Sequence, residues 1–373
     1  VTTPAKSPGE YIRAELDSRG WTQAELARIV DRPIQAINEI VQGKKSITPE
    51  TAAALGAAFG TGPEVWLKRE AEYRLSQSDV DTSDITRRAR LYELAPIKEL
   101  EKRQWIRPTK TTDELEVELK QFFGVDSLDV APAIGAATRR SDGQDELSPS
   151  QRAWCFRVRQ LAQSLLVGQY DEANLPACEK ELRKLAAYPA ETHKLCKVLG
   201  KYGIRLVIVE PLSGCKVDGV ALWLDRDSPV IGLSLRYDRF DAFWFTLCHE
   251  LMHIRYRDEC PVDSDVSGNM MLPTDMKPAM ERRADDEAAH LLIPREELGS
   301  FIRRVGPLYS KERIVQFAHR IKIHPGIIVG QLQHRGEVGY HANREMLSKV
   351  RQLVAPAAIT DGWGHSIDPR NIR

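Results

Sequence analysis

The run Phe243-Trp244-Phe245-Thr246-Leu247-Cys248-His249-Glu250-Leu251-Met252-His253-Ile254 sets two imidazoles four residues apart, with a glutamate directly after the first. The large apolar residues leading into the histidines predict a largely buried helix. In a helix four residues advance about 400°, so His249 and His253 share one face, one turn apart. Two buried imidazoles and a buried carboxylate are costly without a partner, and a metal ion is such a partner. Zinc accepts imidazole nitrogen at about 2.0–2.1 Å, and in catalytic sites it commonly keeps three protein ligands and a position for water. Glu250 is rotated about 100° from His249 along the helix. It can lean over the water without being a ligand, and take a proton from a water whose pKa the ion lowers to about 7.

A third ligand must come from elsewhere. The segment Met280-Glu281-Arg282-Arg283-Ala284-Asp285-Asp286-Glu287-Ala288-Ala289-His290-Leu291-Leu292-Ile293-Pro294 reads as a helix stopped by its proline. Glu281 and Asp285 lie on one face of it. Asp286, Glu287 and His290 on the same helix, and Asp263 and Asp265 on the preceding loop, are rivals. The loop from Asp258 to Pro278 could wall a cleft. Upstream, Ile204–Leu212, Gly219–Asp225 and Pro229–Leu235 are short and rich in branched apolar residues, as strands of a small sheet are. A donor for a tetrahedral oxyanion is open among His290, His324, Tyr256 and Tyr340. His324, before Pro325, reads as a structural residue ahead of a catalytic one. Cys248 reads as an oxidation-sensitive neighbour of the site or as a small buried side chain.

The pattern FWFTLCHELMHI followed by ERRADDEAAHLLIP resembles the ImmA/IrrE family of zinc metallopeptidases over roughly residues 148–350. The segment IKIHPGIIVGQLQ and the strands before the histidines add to the likeness. The resemblance implies a zincin fold of gluzincin type. It makes His249, His253 and Glu281 the zinc ligands, Glu250 the catalytic base and Asp285 a carboxylate behind the ligands. It also implies a helix-turn-helix repressor as substrate. Two positions depart from the family: an acid is common where Arg283 stands, and an aromatic where Glu287 stands.

The chain opens differently. Thr22 with Glu25 three residues on forms a capping box. Ala24, Leu26, Ala27 and Val30 supply packing residues, Asp31 and Arg32 a turn, and Pro33 the first position of the next helix. Ile34, Ile37, Ile40 and Val41 are expected to face a core, leaving Gln35, Asn38 and Glu39 outward. Gln and Asn pair with adenine and Arg with guanine in a major groove. Arg32, Gln35 and Asn38 are therefore the candidate base readers of a helix-turn-helix, and Lys44 and Lys45 the candidate phosphate contacts. Residues 1–77 hold ten Lys plus Arg and ten Asp plus Glu, so no basic excess marks this segment. Gln23, Leu26, Ala27, Gly43, Ile47-Thr48, Ala52, Leu55, Gly60, Trp66 and Tyr73 resemble HigA-type antitoxins of the XRE helix-turn-helix class. That resemblance implies operator binding as a homodimer and a small toxin as partner.

With 373 residues the chain is too long for one small domain. The expected architecture is α+β and mostly helical. A helix-turn-helix bundle occupies 1–77, a helical linker or middle region 78–147, a zincin-like domain with a small sheet 148–355, and an irregular tail 356–373. Ser76–Asp84 reads as a linker, Ala131–Ser150 as a loop, and Pro149–Val167 and Ala177–Leu199 as long helices. No apolar run is long enough to span a membrane. The six cysteines form no CxxC pair and read as reduced, cytoplasmic thiols. Together these features predict a DNA-binding regulator with a zinc-dependent endopeptidase domain, acting on a helix-turn-helix protein or on itself. The alternative is an autoregulatory antitoxin-repressor whose zinc site is structural or silent.

Overall fold

Thr22 accepts a hydrogen bond from the Glu25 amide while the Glu25 carboxylate accepts one from the Thr22 amide, at 3.2 and 2.7 Å, so the capping box starts its helix where the sequence places it. The computed structural model describes residues 6–78, 81–134, 147–258, 262–263 and 278–361, and only the backbone of 262–263. The chain divides into two compact units, Val1–Asp84 and Ile85–Arg373.

The first unit is helical: α1 Pro8–Arg19, α2 Gln23–Ile29, α3 Ile34–Val41, α4 Pro49–Phe59 and α5 Pro63–Gln77. Its core gathers Ile12, Leu16, Leu26, Ile37, Ile40, Val41, Leu55, Phe59 and a fully buried Trp66. The turn between α2 and α3 places Asp31 at φ 50°, and Pro33 caps α3 instead of opening it. Ile34 is 55% exposed, against expectation. As the first residue of α3 its Cβ tilts past the helix end, where nothing covers it. Ala24 is also exposed.

The polar stretch Ser76–Asp84 is helical at its two ends, where α5 reaches Gln77 and α6 spans Ser83–Leu94; Ser78, Asp81 and Thr82 lie between the helices, and residues 79–80 are outside the described residues. The Asp81 carboxylate accepts from the Ser83 amide at 2.8 Å and so initiates α6.

In the second unit α6 is followed by α7 Ile97–Lys102, α8 Thr112–Phe123 and α9 Pro149–Gln163. The supposed long helix over Ala177–Leu199 is broken by Pro189. It becomes α10 Leu175–Leu185, a 3-10 turn Pro189–Lys194, and α11 Leu195–Lys201. The strands are β1 Arg205–Ile208, β2 Gly219–Trp223, β3 Pro229–Leu233, β4 Val262–Asp263 and β5 Ile359–Thr360. Among the described residues they form one mixed sheet in the order β4-β2-β3-β1-β5, with β1 parallel to β3 and β5, and β2 antiparallel to β3 and β4. The start of the expected irregular tail therefore completes the sheet. Most of the loop expected over Ala131–Ser150 and of that over Asp258–Pro278 lies outside the described residues, with Asp265 among them.

Alternate strand residues feed two cores. Leu206, Ile208, Ala221, Ile231 and Leu233 join α12 (Phe240–Tyr256) in one, and Val207, Val220, Leu222 and Val230 join α9 in the other. This two-sided burial is why the strands read as near-continuous apolar runs. The second core also holds Leu91, Ile97, Leu100, Leu115, Leu119, Phe122 and Phe123 from α6–α8. The described helices of the region expected to be a helical linker or middle region thus pack into this unit's second core, where their apolar stripes are covered. Leu119 is fully buried there. Leu119→Ala is expected to destabilise the unit by about 2–5 kcal/mol, read as a lower urea midpoint; a tethering helix would leave the midpoint unmoved.

After α13 Ala279–Leu292 come α14 Arg295–Val305, α15 Lys311–Ile321, α16 Pro325–His334 and α17 Arg351–Val354. The α15–α16 turn repeats the α2–α3 turn: Lys322 has φ 54° where Asp31 has φ 50°, and the capping residue follows two positions later in both. Here, however, Ile327, Ile328, Val329, Gln331, Leu332 and Gln333 of the second helix are buried. That helix has no face for a groove.

Candidate functional site

α12 is buried from Phe240 to Ile254 except Phe245, so the second unit is built around it. His249 is 1% exposed, and Glu250 and His253 are fully buried. α13 lies against α12 and brings Glu281 over the two rings. His249 Nε2 and His253 Nε2 are 3.0 Å apart, and Glu281 Oε2 lies 3.2 Å from the first and 3.7 Å from the second. Among the described residues these three are the group able to hold a metal ion.

The outer ring nitrogens show which inner atoms carry lone pairs. His249 Nδ1 faces Asp285 Oδ1 at 3.0 Å, and His253 Nδ1 faces Asp258 Oδ2 at 2.9 Å. A carboxylate only accepts, so the hydrogen bond to Asp258 puts the proton of a neutral His253 ring on Nδ1 and turns its lone pair inward from Nε2. Two imidazole nitrogens and a carboxylate oxygen then converge on one point, which suits a cation. Four-coordinate zinc with bonds of about 2.0–2.1 Å holds its ligand atoms about 3.3 Å apart. The observed triangle of 3.0, 3.2 and 3.7 Å brackets that spacing.

Glu250 points from the same helix toward the start of β2. A methyl group on Gly219 would lie 2.1 Å from Glu250 Oε1, so this glycine leaves the space that the carboxylate occupies. Asp258 was not singled out from the sequence. It follows α12 immediately, but only the left-handed Arg257 at φ 50° turns its side chain back to His253. Two hydrogen bonds, 2.7 and 2.8 Å, join Asp258 to Arg283, one of the two positions that depart from the ImmA/IrrE pattern. The other, Glu287, accepts from the Tyr256 hydroxyl at 2.6 Å.

The rival residues are placed elsewhere. Asp286 and His290 pair with Arg295, and the Asp263 side chain lies outside the described residues. Among the oxyanion candidates, Tyr256 is held by Glu287, which raises its pKa, and burial lowers that of His290. His324 caps α16, its Nδ1 accepting from the Gly326 amide at 3.1 Å, and burial lowers its pKa. That is a structural role. Tyr340 is 39% exposed, and its carbonyl accepts from Gln333. His334, which no motif marks, makes a tilted ring contact with Phe245, and Phe245 makes another with His249. Cys248 is buried and burial drives its thiol pKa upward, which favours packing over redox sensitivity.

In the first unit, Arg32, Gln35, Asn38, Lys44 and Lys45 are exposed. Gln35 donates to Glu39 at 3.1 Å, and Gln42 donates to Asn38 at 2.6 Å, so two candidate readers are held along α3. The Lys44 and Lys45 amides both donate to the Glu39 carbonyl and fold the basic pair onto the end of α3.

The family model of helix-turn-helix domains matches residues 12–66. An HTH-type transcriptional regulator of Escherichia coli K12, YddM, is 30% identical over 84 residues, which are 22% of this chain and 88% of that protein. The chain belongs to the helix-turn-helix family. The shared part of this helix-turn-helix protein is its first unit, and no peptidase family model matches the chain. An addiction-module antidote of the HigA family from Coxiella burnetii is 32% identical, with 20% of this chain and 83% of that one covered at a TM-score of 0.20. A Pseudomonas aeruginosa protein solved in complex with its 18-bp operator DNA is 31% identical, with 21% of this chain and 83% of that one covered, also at 0.20. No helix among the described residues is long and apolar enough to cross a membrane.

Proposed function

We propose that this protein is a DNA-binding regulator whose second unit is a zinc-dependent endopeptidase. The observation that carries the enzymatic half is the convergence of His249, His253 and Glu281 at 3.0–3.7 Å, with Glu250 adjacent and outside the ligand group. Zinc, when bound, polarises the scissile carbonyl and makes a water more acidic. Glu250 takes the proton from the attacking water and delivers it to the leaving amine. Asp258 fixes the His253 tautomer, and Asp285 lies against the outer nitrogen of His249. The substrate is a helix-turn-helix protein or this chain itself. Within the chain, Ser78, Asp81 and Thr82 are exposed and lie between two helices, where a protease can find extended backbone. Purified protein loaded with zinc is expected to bind about one ion per chain, and intact mass should show fragments of itself or of an added helix-turn-helix repressor. A loaded chain that leaves both uncut overturns the peptidase.

The DNA half rests on membership of the helix-turn-helix family and on the exposed polar face of α3. The protein binds its operator as a homodimer in a cytoplasmic compartment. Asn38→Ala is expected to weaken binding to a duplex from upstream of its own coding region by about 1–3 kcal/mol, measured by titration at fixed salt. Lys44→Ala should reduce the salt slope by about 1.

A second reading, an antitoxin-like repressor with a silent zinc site and a small toxin partner, is favoured by one fact: the curated relatives that match share only 21–22% of this chain. Operator binding without cleavage of any partner supports it.

A further inference from the structure

We propose that Asp258 and Arg283 form a positioning clamp on His253 that sets how tightly the centre holds its metal. The proposal rests on the metal-binding reading above. Asp258 grips residue 253 twice. Its amide donates to the His253 carbonyl at 2.9 Å, and its Oδ2 receives His253 Nδ1 at 2.9 Å. The first bond closes α12, and the second fixes the ring rotation. A ring tethered at Nδ1 by a hydrogen bond keeps its Nε2 lone pair aimed at one point.

Arg283 holds the other side of the same carboxylate. Its Nη2 lies 2.7 Å from Asp258 Oδ1 and 2.8 Å from Oδ2. The guanidinium carbon sits 3.8 Å from the centre of the Tyr256 ring, a cation–π contact that leaves it little freedom. Arg283 stands on α13 between Glu281 and Asp285. The helix that supplies the carboxylate ligand therefore steers, through Asp258, an imidazole on the other helix. Charge gives a second reason for an arginine here. Asp258 and Asp285 both face outer ring nitrogens of the histidine pair, and the Arg283 guanidinium offsets the charge of the first.

An ion pair that merely closed α12 would affect folding and leave the centre alone. The test therefore reads metal affinity directly. Zinc is titrated against a chromogenic chelator, and cobalt(II) spectra report ligand geometry, on the full chain and its variants. Asp258→Ala is expected to raise the zinc dissociation constant by about 10–100-fold and to alter the cobalt absorption bands. Asp258→Asn, whose amide oxygen can still accept from Nδ1, should recover part of the loss. Arg283→Ala should weaken binding on its own but add little in the Asp258→Ala background, because both act through one contact. The proposal is overturned if Asp258→Ala and Arg283→Ala bind zinc within twofold of the unsubstituted chain. If Asp258→Ala does not fold, Arg283→Ala decides by the same criterion. His249→Ala runs in parallel. An unsubstituted chain that holds zinc no better than His249→Ala defeats the metal centre itself, and the clamp with it.

Discussion

Glu250→Gln is expected to leave zinc bound and to slow peptide cleavage by about 10²–10⁴-fold, the usual contribution of a positioned general base. The two halves of that expectation come from different atoms. The group able to hold a metal ion is His249, His253 and Glu281, and Glu250 is not in it. Glutamine has nearly the shape of glutamate, so a side chain with no exposed surface can be replaced without opening a cavity. What it loses is the ability to take a proton. Zinc content by elemental analysis should therefore match that of the unsubstituted chain while intact mass shows the substrate uncut. His253→Ala should do the reverse, lowering the metal content and activity with it. Cleavage at an unchanged rate in Glu250→Gln would remove Glu250 from the chemistry. Loss of zinc in that variant would mean that the carboxylate shapes the site instead of acting in it.

Much of this centre is visible in the sequence because helical spacing is local. His249 and His253 share a face through chain geometry alone, and so do Glu281 and Asp285. The side chains that complete the site arrive by routes that spacing does not encode. Asp258 lies five residues past His253, where a continuing helix would carry it away from that ring. It returns only because Arg257 takes a left-handed conformation at φ 50°. Arg283 has no evident role until its partner across the helix pair is seen. The sheet shows the same limit. β1, β2 and β3 were legible from their branched apolar residues, but β5 consists of Ile359 and Thr360 alone and is defined by pairing with Val207 and Ile208. Two residues carry no periodicity. α6–α8 read as a middle region because their amphipathic stripes do not name the surface that covers them. Ile34 failed for a related reason: its spacing matches Ile37, but no neighbouring element extends over the end of α3.

Gly219 makes the strongest claim beyond ligand spacing. It reads in the sequence as the first residue of an apolar strand. In the structure its missing side chain is the space that the Glu250 carboxylate occupies. Gly219→Ala would bring a methyl carbon to 2.1 Å from Glu250 Oε1 and 2.8 Å from its Cδ, closer than non-bonded atoms approach. The strand cannot easily yield, because Gly219 is paired with Leu233 on one side and Asp263 on the other. The carboxylate must therefore move, and it is buried on a helix that is itself enclosed. A displacement near 1 Å of a catalytic group can lower a rate by about 10²-fold. Gly219→Ala is accordingly expected to keep its zinc and lose cleavage by about that factor. It should add little to the loss already present in Glu250→Gln, since both changes act on one proton transfer. Undiminished cleavage by Gly219→Ala would show that the Glu250 carboxylate works from some position other than the cradle at the start of β2. Additive losses in the double variant would show that Gly219 acts elsewhere, on the substrate or on the strand it begins.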